Sequence, residues 1–453
     1  MKRIIALIGL QIFFLSLLVS QAKATGDNKE KFLWEVGIAR TVITPNEPTW
    51  MAGYASRTSP SEGKLHDLWA KALLLEDARG NRSLLITMDI LGVSKDFSDE
   101  VRSLINRKYK LDNSQIILSS SHTHSGPVIS RALKYIYPMT DQDWKVVDKY
   151  TEQLKEKLVV LVGQAMKNLQ PAHIYTQNGI TRFQVNRRNN MENSITPTTE
   201  LKGPNDYAVP VIKIESPDKQ LLAVIFGYAC HPTTLSINMF SGDYAGFAQL
   251  ELEKRYPGVT AMFFQGAGAD QNPLPRRTIP LAIQYGKQLA ATVERVLSEE
   301  MPQQESNLIT KYSEIDLLFD KPLPIEELQV IAKGSDYEAR WAKGIISELK
   351  TKGHLIKSYP FPVGYWQIGQ QKLFILGGES AIAYSVKLKQ IFGDQIFVMS
   401  YANDVMAYIP SEVILKEGGY EGDTSHRVYG LPSKWSKTIE SKIIQGIKDL
   451  ISK

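Results

Sequence analysis

The chain has 453 residues, 43% hydrophobic and 22% charged, with a net charge of +5 and one cysteine. Usage this ordinary excludes bulk disorder, collagen and coiled coil, and the length suits two or three domains or one large α/β domain. Cys230 alone can form neither an internal disulfide nor a cysteine-rich zinc site, and no basic stripe or nucleotide-binding glycine motif points to nucleic acid or nucleotide.

In chain order, Lys2 and Arg3 precede an apolar run over 4–20, and Ala22-Lys23-Ala24 follows it. That is the charge, core and cleavage order of a secretory signal peptide over 1–24, the alternative being a short uncleaved anchor helix. Without it the chain keeps 50 basic against 48 acidic residues. The expectation is a periplasmic or secreted protein with no stable membrane anchor after cleavage. Residues 25–453 then form one mature domain.

Residues 83–88 and 115–118 read as short buried strands, with a helix over 97–110 between them. A long amphipathic helix covers 141–169, with Val147, Tyr150, Leu154, Leu158 and Leu161 on one side. Strands follow at 209–214, 221–229 and 260–264, with helices at 246–256 and 281–297. Residues 372–376 and 395–399 read as strands, and 434–451 as a surface helix. The region 308–360 is charged and reads as a helical insertion or cap. This alternation predicts an α/β fold of layered, parallel or mixed sheets flanked by helices, with ligands beyond the carboxyl ends of strands. Asp89, His122, His231, Asp270, Glu379 and Tyr408 all follow apolar runs.

Ser121-His122-Thr123-His124-Ser125-Gly126-Pro127 follows a buried strand. On extended chain an H-x-H pair puts both rings on one side, about 7 Å apart. That suits a divalent cation held by two ligands, or one ligand beside an acid/base; a hydrogen-bonded loop is the alternative. His231, in Tyr228-Ala229-Cys230-His231-Pro232, is either a strand-end residue bonded to a carbonyl or part of a site. Alternation turns Cys230 to the opposite face, as a small buried residue. Two glycines precede Glu379, where backbone can approach closely. Tyr408 reads by itself as a packed loop tyrosine.

Taken together these segments resemble the neutral/alkaline non-lysosomal ceramidase family, in its N-terminal catalytic domain. The resemblance rests on Met51-Ala52-Gly53-Tyr54, the stretch His66 to Ala72, Met88-Asp89, the His122 motif, Asn186-Arg187, His231, Glu379, Asn403 to Tyr408 and Tyr420-Glu421-Gly422. It implies a zinc ion on His122, His231, Glu379 and Tyr408. It also implies His124 as a neighbouring acid/base or substrate-contacting residue, and Arg187 and Tyr420 near the scissile group. The implied activity is hydrolysis of an amide in an N-acyl substrate, an N-acylsphingosine or related lipid, by zinc-activated water.

Two departures bear on this. The stretch Gln265 to Pro273, where the family carries a proposed catalytic serine, holds no Ser, Thr or Cys. The family's usual C-terminal β-sandwich domain has no counterpart before the chain ends. A non-catalytic ligand-binding homologue and a zinc hydrolase of another ester or amide are the alternatives. Asp270 either orients a histidine or water or caps its turn, and Asp89 either orients a ligand histidine or caps its strand.

Overall fold

The structure, a computed structural model, describes residues 32–452, so the signal-peptide expectation over 1–24 lies outside the described residues. Among the described residues no helix is long and apolar enough to cross a membrane.

The framework is a mixed sheet of nine strands. Its path runs Ile116–Ser120, Arg82–Met88, Trp69–Glu76, Trp34–Val42, Gln170–Ile180, Ala208–Glu215, Leu221–Tyr228, Thr260–Gln265, with Gln303–Gln304 attached to Gln170–Ile180. Most neighbours are antiparallel, but the outermost pair at each end is parallel. The strands carry apolar residues on both faces. Leu73 and Leu75 point one way into a core with Trp34, Met262 and Trp366. Ala72 and Leu74 point the other way, among Val101, Leu158 and Leu161.

Helices Lys95–Tyr109 and Asp141–Lys167 cover one part of the outer face, and Asp243–Arg255 and Ile279–Leu297 the other. Thr140 fixes the start of the long helix: its side chain accepts from Asp143 N, and the Asp143 carboxylate accepts from Thr140 N. On the inner face lies a second sheet, ordered Leu308–Leu318, Ser358–Ile368, Gln371–Leu376, Phe397–Met399. Helices Ile382–Phe392 and Ile439–Ser452 close its far side. The result is four layers, helix, sheet, sheet, helix, as the α/β expectation requires.

One expectation changes. Residues 308–360 are not a helical insertion throughout: Leu308–Leu318 pairs along its whole length with Ser358–Ile368, and helix is confined to Ile325–Ile331 and Tyr337–Lys352. Leu308–Leu318 is the edge of its sheet, and its charged residues face solvent as edge strands require.

The large sheet curls so that its two ends meet. The segment 400–403, running on from Phe397–Met399, lies between them: Ser400 N donates to Gln265 O (2.9 Å), Ser120 N to Tyr401 O (3.2 Å) and Asn403 N to Leu118 O (2.8 Å). The carboxyl ends of Ile116–Ser120, Leu221–Tyr228, Thr260–Gln265 and Gln371–Leu376 therefore converge, and the candidate residues follow them in sequence.

Candidate active site

His122 leaves its strand with φ at 62°, a left-handed conformation that costs a non-glycine residue about 1–3 kcal/mol. Tyr401 (φ 56°) and Asn403 (φ 66°) beside it share that conformation. The extended H-x-H geometry therefore gives way to a tighter one: the rings of His122 and His124 lie 5.0 Å apart, edge to face, with their Nε2 atoms 3.3 Å apart.

Backbone carbonyls orient the two outer histidines. His122 Nδ1 lies 2.6 Å from Leu91 O, and His231 Nδ1 lies 2.9 Å from Gly268 O. A carbonyl only accepts, so Nδ1 carries the hydrogen in both rings and each Nε2 of the neutral ring offers a lone pair. Both Nε2 atoms face the same carboxylate oxygen, Glu379 Oε2, at 3.2 Å from His122 and 3.0 Å from His231. Lone pairs facing a carboxylate oxygen repel unless a cation lies among them. The ligand atoms of His122, His124 and His231 all lie within 4.8 Å of one another, and all three residues are buried. Imidazole nitrogens with a carboxylate are donors that suit zinc.

Glu379 reaches this point because Gly377 and Gly378 permit close backbone approach. A Cβ on Gly378, whose φ is 62°, would stand 2.9 Å from Ala407 O, and one on Gly377 would stand 2.7 Å from Pro362. Glu379 Oε1 accepts a hydrogen bond from the Tyr429 hydroxyl. Burial takes the His231 imidazole down to about 4, against the opposing pull of Glu379.

Tyr408 pairs with Glu379 in a short parallel ladder. Its ring stacks on His231 at 6.3 Å between centroids, and its hydroxyl accepts from Arg187 Nη2 at 3.3 Å. Arg187 also donates from Nε to Glu421 Oε1 (2.8 Å), and its backbone N donates to Asp270 O (2.9 Å). Tyr420 stands at the rim, 41% exposed, its ring 5.2 Å from that of Tyr408. Arg187 and Tyr420, with Arg276, Asn272 and Glu421, line a cleft of about 510 Å³.

His124 has different surroundings. Its Nδ1 is buried without a partner, and its ring packs 4.8 Å from that of Tyr54. Burial, then His122 and His231, hold its pKa well below 6.5, so the ring is neutral at pH 7.

The two outer carboxylates do not orient a histidine. Asp89 accepts from Trp69 N (3.0 Å) and Gln249 Nε2 (3.3 Å), and Leu91 O takes the place expected of it beside His122. Asp270 accepts from Ile382 N (2.8 Å) and Asn186 Nδ2 (3.0 Å), fixing the backbone that carries Arg187. Cys230 lies in the core with Tyr244 and Phe263, as alternation required. Sequence reasoning missed Tyr429, a lone tyrosine in no motif, and Tyr401, whose ring packs 4.4 Å from that of His122.

The chain belongs to the family described as neutral/alkaline non-lysosomal ceramidase, N-terminal, whose profile matches residues 34–273, more than half of its length. That span includes His122, His124, Arg187 and His231, whereas Glu379, Tyr408 and Tyr420 lie beyond it. Among its relatives, neutral ceramidase B of Dictyostelium discoideum is 25% identical over 304 residues, 61% of this chain and 41% of that protein. The neutral ceramidase of Pseudomonas aeruginosa is 24% identical over 234 residues, 49% of this chain and 34% of the relative. The matches thus span about a third to two fifths of those relatives' length. The solved neutral ceramidase from Pseudomonas aeruginosa shares the fold over 92% of this chain and 74% of that one, with a TM-score of 0.72 at 18% identity.

Proposed function

We propose that this protein is an exported zinc-dependent hydrolase that cleaves the amide bond of an N-acyl substrate, as the names of its ceramidase relatives suggest. The observation that carries the reading is the facing of two Nδ1-protonated histidines, through their Nε2 atoms, onto one carboxylate oxygen of Glu379. His122, His231 and Glu379 would hold the ion, with Tyr408 as the fourth ligand. Zinc in such a site lowers the pKa of water to about 7 and polarises a carbonyl.

The chain's own residues supply the rest. Arg187 keeps a full positive charge beside Tyr408 and lines the cleft, where it stabilises negative charge developing on the amide oxygen. Tyr420 adds a hydroxyl at the same rim. His124, neutral at rest and outside the Glu379 contacts, takes up a proton and gives it to the leaving amine. The stretch Gln265 to Pro273 works as scaffold: Gly268 O fixes the His231 ring, and Asp270 fixes Asn186.

The test is metal analysis of the purified protein, then a panel of ceramides, N-acyl amino acids and esters with and without chelator. Stoichiometric zinc and chelator-sensitive amide cleavage are expected. Amide hydrolysis by metal-free protein would overturn the reading.

A further inference from the structure

A second cavity, of about 460 Å³, lies behind Tyr54 and is lined in part by Arg57, Glu62, Ser236, Asn238 and Arg277. Tyr54 is the wall it shares with the histidine cluster, since its ring packs against His124. Two guanidinium groups flank the same tyrosine ring, Arg57 at 5.5 Å and Arg277 at 5.4 Å from its centroid.

Arg57 is 92% buried by its 8% exposure, yet it meets no carboxylate among the described residues. Its donors reach Ile237 O (3.2 Å), Asn238 Oδ1 (3.0 Å) and His124 O (2.8 Å), and its Nε has no partner. A buried charge normally carries a counter-ion, because desolvation costs several kcal/mol, in round terms, when it is left unpaired. Arg277 forms no ion pair among the described residues and donates to the Tyr54 hydroxyl at 3.0 Å. It is held there with φ at 89°, a strained conformation for arginine. Its neighbour Arg276 turns the other way and is neutralised by Glu192. Glu62 is the single carboxylate on the cavity wall, engaged with Asn238 Nδ2 at 3.4 Å. Two arginines, Arg57 buried and Arg277 exposed, against one exposed glutamate give the cavity wall a net positive charge.

We propose that Arg57 and Arg277 form a subsite for an anionic group, a carboxylate or a phosphate, on the amine half of the N-acyl substrate. The placement on the amine half rests on the amide-hydrolase reading, in which His124, the residue beside this cavity, serves the leaving amine. Arginine's planar fork suits both anions.

The kinetic test compares N-lauroylglycine and N-lauroyl-phosphoethanolamine with neutral N-lauroylethanolamine. The anionic probes should have the higher kcat/KM, and the better of the two identifies the anion. In Arg277→Gln the ratio of anionic to neutral kcat/KM should fall roughly tenfold, through KM, the loss expected for one charge-assisted hydrogen bond. Arg277→Lys should keep part of the ratio, because the ammonium retains the charge and not the fork. Equal kcat/KM for charged and neutral probes in the parent protein, or an unchanged ratio in Arg277→Gln, would overturn the subsite.

Calorimetry with inorganic phosphate and N-acetylglycine separates this proposal from the hydrolase reading. Binding by the parent and loss of binding in Arg277→Gln would support an anion site even if no amide were cleaved. Cleavage of neutral amides by a protein that binds neither anion would leave the hydrolase reading intact and sink the subsite.

Discussion

Glu379 and Tyr408 are register partners in a two-residue parallel ladder, so a glutamate and a tyrosine 29 positions apart present their side chains beside His231. Their placement depends on backbone pairing, which a side-chain substitution leaves in place. Glu379→Gln should therefore fold normally and lose its metal. Zinc affinity should drop by roughly a hundredfold or more, beyond the loss typical of removing an outer hydrogen-bond partner. Titration with a competing chelator measures it, and unchanged affinity would remove Glu379 from the ligand set.

Tyr429 donates to the far oxygen of the same carboxylate. Removing that hydroxyl leaves Glu379 freer to rotate, at a cost of roughly tenfold in metal affinity. Tyr429→Phe should show this without a large change in melting temperature, because the ring stays packed. Wild-type affinity in this variant would mean that the tyrosine does not hold the carboxylate.

Asp404 provides a pH signature outside the histidine cluster. Its carboxyl is buried, accepts from the Tyr359 hydroxyl at 2.8 Å, and leaves Oδ1 without a partner. Burial pushes its pKa up to about 7 from 3.8. A folded-state pKa above the unfolded value means that the folded protein prefers the proton. Stability on this account is full below about pH 4, declines as the pH rises, and is lost once the pH has passed about 7. A three-unit shift corresponds to about 4 kcal/mol as an upper figure. Asp404→Asn removes the penalty: melting temperature should rise at pH 8 and change little at pH 4. Parallel pH–stability curves for the two proteins would contradict the assignment.

Glu421 holds two arginines, accepting from Arg187 Nε at 2.8 Å and Arg188 Nη1 at 2.7 Å. Glu421→Gln would leave both guanidinium groups without this largely buried counter-charge. Denaturant unfolding should show a loss of about 3 kcal/mol. Amide cleavage should fall too, since Arg187 would no longer be aimed at the Tyr408 hydroxyl. A variant with parental stability would show that the pair is solvated in solution.

Gly53 carries the His124 ring on its α-carbon. Its φ is 106°, and a Cβ there would stand 2.5 Å from the imidazole. Gly53→Ala should displace His124 while leaving the Glu379 contacts of His122 and His231 in place. The expected result is a kcat loss of roughly tenfold to a hundredfold with near-parental zinc content. Equal loss of zinc and activity would instead make His124 a ligand.

The sequence was most readable where local pattern and final environment agree. Apolar runs such as Leu221–Tyr228 and Thr260–Gln265 are buried on both faces, and the spacing from Val147 to Leu161 marks the inner side of the long helix. The nearly antiparallel order of the large sheet was not readable, because strand pairing is set by contacts distant in sequence. Leu308–Leu318 misled through Lys311, Glu314 and Asp316, which suit an exposed sheet edge as well as a helix. At the site, the family's motif order picked out residues that the fold does assemble. The left-handed turn at His122 and the carbonyls of Leu91 and Gly268 carry no side-chain signature, so the tautomers that define the cluster emerged only from the structure.

The segment 400–403 acts as a keystone between the two ends of the curled sheet. A fragment limited to residues 34–273 would keep all three histidines of the cluster and the whole nine-stranded path except Gln303–Gln304, yet both outer strands would lose the chain that caps them. Bare strand edges of this kind invite pairing with other molecules. The remaining two fifths of the polypeptide is thus the fold's safeguard against self-association as well as the source of Glu379, and excising it exchanges a closed seam for two adhesive borders.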